Sequence, residues 1–391
     1  MILPCLPSFS PLPILDAPPL PRYNRGMSAA PPDDARPLAG LRSQIDALDA
    51  QIVALLNERA NVVVEIGKLK QQTNAPIYAP DREQAVLQKV RQLNHGPLPD
   101  RCLEAVYREL MSGSFALEKP LRIAYLGPAG TFSHAAALRK FGASVEYVPL
   151  ADIPGVFEEV VRGHVDYGLV PVENSLHGGV VDTLDAFLGS SARICAEVRI
   201  TIHHFLLAKG PWESVRTIYS KPEIFSQCRK WLAGVAKDRD VQGVASSSKA
   251  AELAAQHEGV AAIGTRIAAE MNGLAVLFEN IEDDPDNETR FLVIGREAAR
   301  RTGDDKTAVM FTTAHQPGAL ADVLDVFKAN GINLTDIEKR PSKKANWEYY
   351  FFIDAQAHAD DPAMRTAIEQ ARKHCLQLTV LGSYPRAAEV L

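Results

Sequence analysis

The stretch that most constrains the fold runs from Leu41 to Lys70, LRSQIDALDAQIVALLNERANVVVEIGKLK. Apolar residues recur there at helical spacing, from Leu41, Ile45 and Leu48 to Val62, Val63 and Leu69. No proline interrupts the run and Gly67 comes late, so the spacing predicts one helix of about thirty residues, ~45 Å long. Along its buried edge lie Ile52, Leu55, Arg59, Val63, Ile66 and Lys70. Two cations thus stand where aliphatic residues belong, within ~20° of one face. An unpaired buried cation is costly, so something anionic should meet them. Both side chains could instead snorkel to solvent, or Arg59 could pair with Glu58 or Glu65. Two aligned cations, with Arg42 upstream, better match a compact dianion lying across helices. The helix is also too long to be covered within a bundle of about eighty residues, which predicts an intertwined dimer.

At 391 residues the chain has room for two or three domains, and 46% hydrophobic content suffices for their cores. A net charge of −6 with interspersed signs leaves no nucleic-acid footprint. The five cysteines, Cys5, Cys102, Cys195, Cys228 and Cys375, lack paired metal spacing and read as reduced thiols of a cytoplasmic protein. No uninterrupted apolar run approaches a membrane span. Residues 1–37 are broken by Pro4, Pro7, Pro11, Pro13 and further prolines, which excludes an ordinary signal-peptide core and predicts disorder. Met27 is an alternative start.

Residues 38–118 read as three helices. The second begins after Pro80 with Asp81 as N-cap and Arg82 and Glu83 in its first turn. The third follows Pro99 and carries the stripe Leu103, Tyr107, Leu110, Ser114, Glu118, whose terminal Glu118 taken alone belongs on the surface. LRSQIDALD, LLNER, VVEIGKLK and the DRE start of the second helix together resemble an all-helical chorismate mutase. The resemblance implies that Arg59, Lys70 and Arg82 hold the two carboxylates and the ether oxygen of chorismate. Glu83 would receive the substrate hydroxyl, Ser114 would assist, and Arg42 would come from a partner protomer. Ala79 stands where many relatives carry Asp, and Glu118 where many carry Gln. A carboxylate there would repel the developing negative charge, so Glu118 is expected to act as a neutral donor, with mutase activity falling as pH rises.

From Leu121 the texture changes to short β-rich runs alternating with helices, an α/β domain with mostly parallel strands in two lobes over residues 121–298. GPAGTFSH lacks the third glycine of a dinucleotide loop and reads as a turn feeding a helix N-terminus that faces an anion. Other polar groups fall at strand ends: Asn174 in VPVEN, Ser220 in YSKP with Gln227 beyond it, and Thr289 and Arg290 before FLVIG. Each alone is ordinary turn chemistry. GPAGTFSHAA, VPVENSLHGGVVDTLD, YSKPEIFSQC and TRFLVIG together resemble prephenate dehydratases. That resemblance makes Thr289 the acid that helps the ring hydroxyl leave. Asn174, Ser220 and Gln227 would orient substrate or shape the site, Arg290 would anchor a carboxylate, and neither metal nor organic cofactor is needed.

Residues 306–385 read strand, helix, strand, strand, helix, strand, the order of an α+β ferredoxin-like fold. PGAL and IEKRPS resemble the ligand-contacting motifs of ACT regulatory domains, with Lys339 where relatives show Ser. Gly318, with Ala319 and Leu320 in the Phe-binding PGAL segment, would let the backbone approach L-phenylalanine at a domain interface, and Glu338 and Arg340 would fix the local geometry. The resemblances imply a bifunctional, multidomain enzyme of phenylalanine biosynthesis, an isomerase and a lyase under feedback, at least a homodimer. An arogenate-preferring dehydratase and a non-catalytic amino-acid-binding regulator are the competing readings.

Overall fold

The computed structural model describes residues 38–73, 76–342, 348–387 and 390; segment 1–37, with the expected disorder and the Met27 start, lies outside them. The described chain divides after Asn57 into two compact units. The helix predicted from the opening stretch is α1 (Leu38–Thr73). In the first unit its Leu41, Ile45, Leu48, Ile52 and Leu55 are exposed.

In the second unit α2 (Pro80–Leu93) and α3 (Asp100–Glu118) complete the helical domain. The expected N-cap is corrected: Ala79 flanks α2, Pro80 enters the first turn, and Asp81 lies inside that turn beside Glu83. Proline's fixed φ suits that position, and negative charge there suits the helix dipole. The connector before α2 leaves the bundle. Tyr78 is fully buried among Phe115, Phe141 and Tyr167, with ring centroids at 5.8, 5.1 and 5.1 Å. The Tyr167 hydroxyl donates to its carbonyl at 3.1 Å. One aromatic side chain therefore roots the helical domain in the core of the next.

The α/β domain begins with β1 (Arg122–Leu126), α4 (Phe132–Phe141), β2 (Glu146–Leu150), α5 (Ile153–Arg162) and β3 (Tyr167–Asn174). There follow β4 (Gly178–Gly179), α6 (Val181–Phe187), β5 (Arg193–Thr201), β6 (Phe205–Ala208) and β7 (Thr217–Ser220). Next come α7 (Pro222–Gln227), α8 (Arg229–Val235), β8 (Asp240–Gly243), α9 (Ser247–Gln256) and β9 (Val260–Gly264). It ends with α10 (Arg266–Asn272), β10 (Ala275–Phe278) and β11 (Glu288–Gly295).

Two lobes result, one on a sheet ordered β2-β1-β3-β11-β5 and one on β10-β6-β9-β7-β8. The expected mostly parallel arrangement is corrected to mixed sheets. β1 pairs in parallel with β2 and β3, and β7 with β8 and β9, whereas β11 runs antiparallel between β3 and β5. The cause is the crossover. The chain leaves the first lobe after β5, builds the second, and returns as β11 into a gap left for it. That return sets Thr289 opposite Asn174, just ahead of a register shift between Arg290 and Phe291. Such bulges re-aim side chains near sites. The single helix expected over PEIFSQCRKWLAG is broken at Cys228, because the Gln227 carbonyl accepts from Asp283 N at 2.6 Å instead of continuing the helical ladder.

The C-terminal domain is β12 (Asp305–Thr312), α11 (Ala319–Ala329), β13 (Leu334–Pro341), β14 (Tyr349–Ala355), α12 (Pro362–Ala371) and β15 (Gln377–Pro385). Its antiparallel sheet is ordered β13-β14-β12-β15, as the ferredoxin-like reading requires. One face packs on α11 and α12 through Val323, Phe327, Met364 and Ile368. The other carries Met310, Phe352 and Leu381 into the core of the first α/β lobe, beside Val156 and Ile294.

Candidate active and regulatory sites

On the helical domain the structure brings four of the expected residues together in two pairs. Arg59 donates to the Ser114 hydroxyl at 2.9 Å, and Ser114 in turn donates to the Leu110 carbonyl at 2.7 Å. Lys70 reaches Glu118 Oε2 and the Ile77 carbonyl, each at 2.9 Å. The helices cross closely here: a Cβ at Gly67 would lie 3.0 Å from Glu118 Cγ. The Glu118 side chain is only 8% exposed, so the surface placement is corrected. The Lys70 ammonium lies 2.9 Å from its Oε2, within ion-pair distance.

Arg82 and Glu83 do not join this row. They line a cavity of about 860 Å³ between α2, the edge strand β5 and the chain after β15. Glu83 is buried, and its Oε2 accepts from the Tyr78 hydroxyl at 2.9 Å and from Lys140 of α4 at 2.7 Å. Burial, then the Glu83 carboxylate, raises the Tyr78 phenol well above its usual range, so it remains a donor. Oε1 of Glu83 has no hydrogen-bond partner among the described residues and remains able to accept one. Arg42 is exposed on α1.

In the α/β domain the site forms where the two crossovers run side by side. Ile202 N donates to the Asn287 carbonyl at 2.8 Å, and Ile281 N to the His204 carbonyl at 3.0 Å. Asn174 Nδ2 reaches Thr289 Oγ1 at 2.9 Å, Asn287 Oδ1 at 2.8 Å and the Glu288 carbonyl at 3.0 Å. Its Oδ1 accepts from the backbone of Leu176 and His177 at 3.1 and 3.2 Å, which locks the amide. Thr289 Oγ1 is thereby an acceptor from Asn174, and its own proton is left to donate. Gln227 Oε1 faces His204 Nε2 at 2.7 Å. Burial lowers the His204 pKa, and the neutral ring donates from Nε2, so the Gln227 amide N–H groups point away. The lobes meet at the glycine turn: Thr265 donates to the Gly130 carbonyl at 2.6 Å. Gly130 lies at φ +85, where a Cβ would sit 3.2 Å from Ser248 Oγ. The helix that this turn feeds, α4, is capped by Thr131, which accepts from His134 N.

Two expectations are corrected here. Ser220 is fully buried and donates to the Ile263 carbonyl at 2.7 Å, a strap between β7 and β9 that fits shaping the site and not orienting substrate. Arg290 anchors no free carboxylate, because Glu197, Asp354 and Tyr384 already occupy it.

On the C-terminal domain Gly318 takes φ +85 immediately before α11, a conformation that favours glycine, with Ala319 buried and Leu320 half-buried behind it. Glu338 and Arg340 reach the α/β domain. Glu338 accepts from Gly179 N at 3.2 Å, and Arg340 grips both oxygens of Asp185 at 3.0 and 3.3 Å. Lys339 lies over the Tyr349 ring at 5.4 Å. Sequence reasoning missed Tyr78, Lys140, His204, Glu197 and Asp354. The last two carried a signal, since each is a lone carboxylate inside an apolar strand, RICAEVRIT and YYFFIDA.

The model of the prephenate dehydratase family matches residues 123–299, that of chorismate mutase type II residues 41–119, and that of the ACT domain residues 307–373. A bifunctional chorismate mutase/prephenate dehydratase of Stutzerimonas stutzeri is 45% identical over 361 residues, 90% of this chain and 99% of the relative. One from Aquifex aeolicus is 43% identical over 355 residues, 90% and 98% of the two chains. The crystal structure of a prephenate dehydratase from Arthrobacter aurescens, in complex with L-Phe, is similar with a TM-score of 0.63 at 34% identity, covering 68% of this chain and 90% of that one. Matched at over 40% identity along nearly the whole length of these relatives, the chain belongs to the bifunctional chorismate mutase/prephenate dehydratase family.

Proposed function

We propose that the helical domain rearranges chorismate to prephenate, that the α/β domain dehydrates and decarboxylates prephenate to phenylpyruvate, and that L-phenylalanine bound at the ACT domain restrains the second step. A Claisen rearrangement needs no nucleophile. It needs a compressed conformer and positive charge where the breaking C–O bond gains electron density. Arg59 and Lys70 supply that charge from α1 and Ser114 orients Arg59, while Arg82 and Glu83, on the cavity beside β5, stand outside that row. The exposed apolar face of α1 supports a homodimer in which the partner's Arg42 completes the site. Free thiols at Cys102, Cys195, Cys228 and Cys375 accord with a cytoplasmic enzyme.

The observation that carries the dehydratase reading is the Asn174–Thr289 pair. A hydroxyl whose oxygen is held by an amide donates its proton in one direction, toward the ring hydroxyl as that oxygen departs with its bonding pair. The carboxylate C–C pair moves into the ring as carbon dioxide leaves, and the ring C–O bond breaks with its pair on the departing hydroxide. The hydroxide takes up a solvent proton to leave as water while Thr289 stays protonated, and aromatisation drives the step. Gln227, held by His204, orients the substrate. The test is chorismate in and phenylpyruvate out, with and without L-phenylalanine. Thr289→Val should lower dehydratase kcat by about 10²-fold or more and leave mutase turnover unchanged. Normal dehydratase turnover in that variant would remove Thr289 from the mechanism.

A further inference from the structure

The donor arms of Arg290 are taken up at the seam between the first α/β lobe and the ACT sheet. Nε donates to Glu197 Oε2 at 2.8 Å, Nη2 donates to Tyr384 Oη at 2.9 Å and to Asp354, and Nη1 lies 3.6 Å from Glu173 Oε2. Lys306 closes on the same Glu197 oxygen at 3.2 Å. The Arg290 side chain is 11% exposed and that of Glu197 1%. Burial alone would raise the Glu197 carboxyl, yet Arg290 and Lys306 hold it below its usual range. Burial and then Asp354 push the Tyr384 phenol up, so it stays protonated.

The cluster stands back to back with the dehydratase site. Arg290 follows Thr289 on β11, and its strand partner Glu173 precedes Asn174 on β3. Successive side chains on a strand point to opposite faces. Asn174 and Thr289 therefore face the crossovers, and Glu173 and Arg290 face the ACT domain. Simple docking would not require these charges, because Met310, Phe352 and Leu381 already supply an apolar contact. A buried ion cluster adds little stability over apolar packing, but it admits few geometries.

We infer that Asp354 and Tyr384 of the ACT domain are positioning residues for the dehydratase reaction: they hold Arg290, and through β11 they fix Thr289 against Asn174. A shift of the ACT sheet on effector binding is then felt at the reacting hydroxyl. The inference rests on the reading of Thr289 given above.

The test assays full-length Asp354→Asn and Tyr384→Phe for dehydratase kcat and KM, for mutase turnover, and for the ratio of dehydratase rates without and with saturating L-phenylalanine. Dehydratase kcat should fall about tenfold with KM within about twofold, the loss of an interaction that matters in the transition state. The phenylalanine ratio should collapse toward one. Mutase turnover, which depends on α1–α3, should stay at the wild-type level and so report an intact fold. If Asp354→Asn loses both activities together, Tyr384→Phe decides, since it removes one hydroxyl and keeps the ring. Wild-type kcat with a full phenylalanine response in the deciding variant overturns the inference. Thr289→Val separates the two readings. Inactive Thr289→Val beside an unaffected seam variant removes the present inference alone, whereas active Thr289→Val removes both.

Discussion

Lys70 has two partners in the chain, the Ile77 carbonyl and Glu118, before any substrate arrives. If it binds a carboxylate of chorismate, the ion pair to Glu118 must be exchanged for it. A half-buried pair of this kind is worth ~1 kcal/mol. Glu118→Gln should therefore lower the mutase KM by about fivefold. Steady-state mutase kinetics of the variant and the wild type at one neutral pH would check this. An unchanged KM would mean that Lys70 does not exchange partners. The cations of α1 were legible in the sequence because charge inside an apolar stripe must find a partner. The same rule applied to strands would have found Glu197 and Asp354, and with them the true company of Arg290. Nothing in the sequence marks Tyr78 or Lys140 as neighbours of Glu83, since they are joined to it by packing across domains. Ser220 shows the converse: a hydroxyl at a strand end reads as a site residue until its proton is seen bonded to the Ile263 carbonyl.

At the scale of elements, α1 was the easiest to read and β11 the hardest. A 36-residue helix without proline follows from local periodicity alone. The placing of β11 follows from the crossover between lobes, which no window of sequence contains. The break at Cys228 likewise depends on a distant backbone N–H, that of Asp283. The exposure of Ile52 and Leu55 on α1, at 52% and 63%, carries its own prediction. Glu in place of both should cost the protomer little, because neither side chain is buried in it. If α1 is the dimer seam, the double variant should lose the higher oligomer in light scattering. Mutase turnover should drop by about 10²-fold for want of the partner's Arg42, while dehydratase turnover persists. An unaltered oligomer would place the seam elsewhere.

For the whole molecule the ACT–dehydratase seam couples stability to pH. Asp336 of β13 lines a cavity of about 280 Å³ there, with Glu173, Arg290 and Lys306. Burial first, then the Asp354 and Glu173 carboxylates, raises its pKa from 3.8 to about 6, although Arg290 works the other way. Glu338 of the same strand adds to the rise. The folded chain thus holds this proton more tightly than the unfolded chain does. Its stabilising effect is complete below the unfolded value of 3.8 and is lost as pH rises through about 6. Asp336→Asn should remove that slope. At neutral pH the variant should be the more stable by ~1 kcal/mol, a figure reduced for the partial exposure of the group, or about 1–2 °C in Tm. At low pH, where Asp336 is protonated in the wild type as well, the two proteins should melt together. Calorimetry of both at several pH values measures the difference directly. A variant no more stable than wild type at neutral pH would show that Lys306 and Arg290 already neutralise Asp336, and that the seam is balanced as it stands.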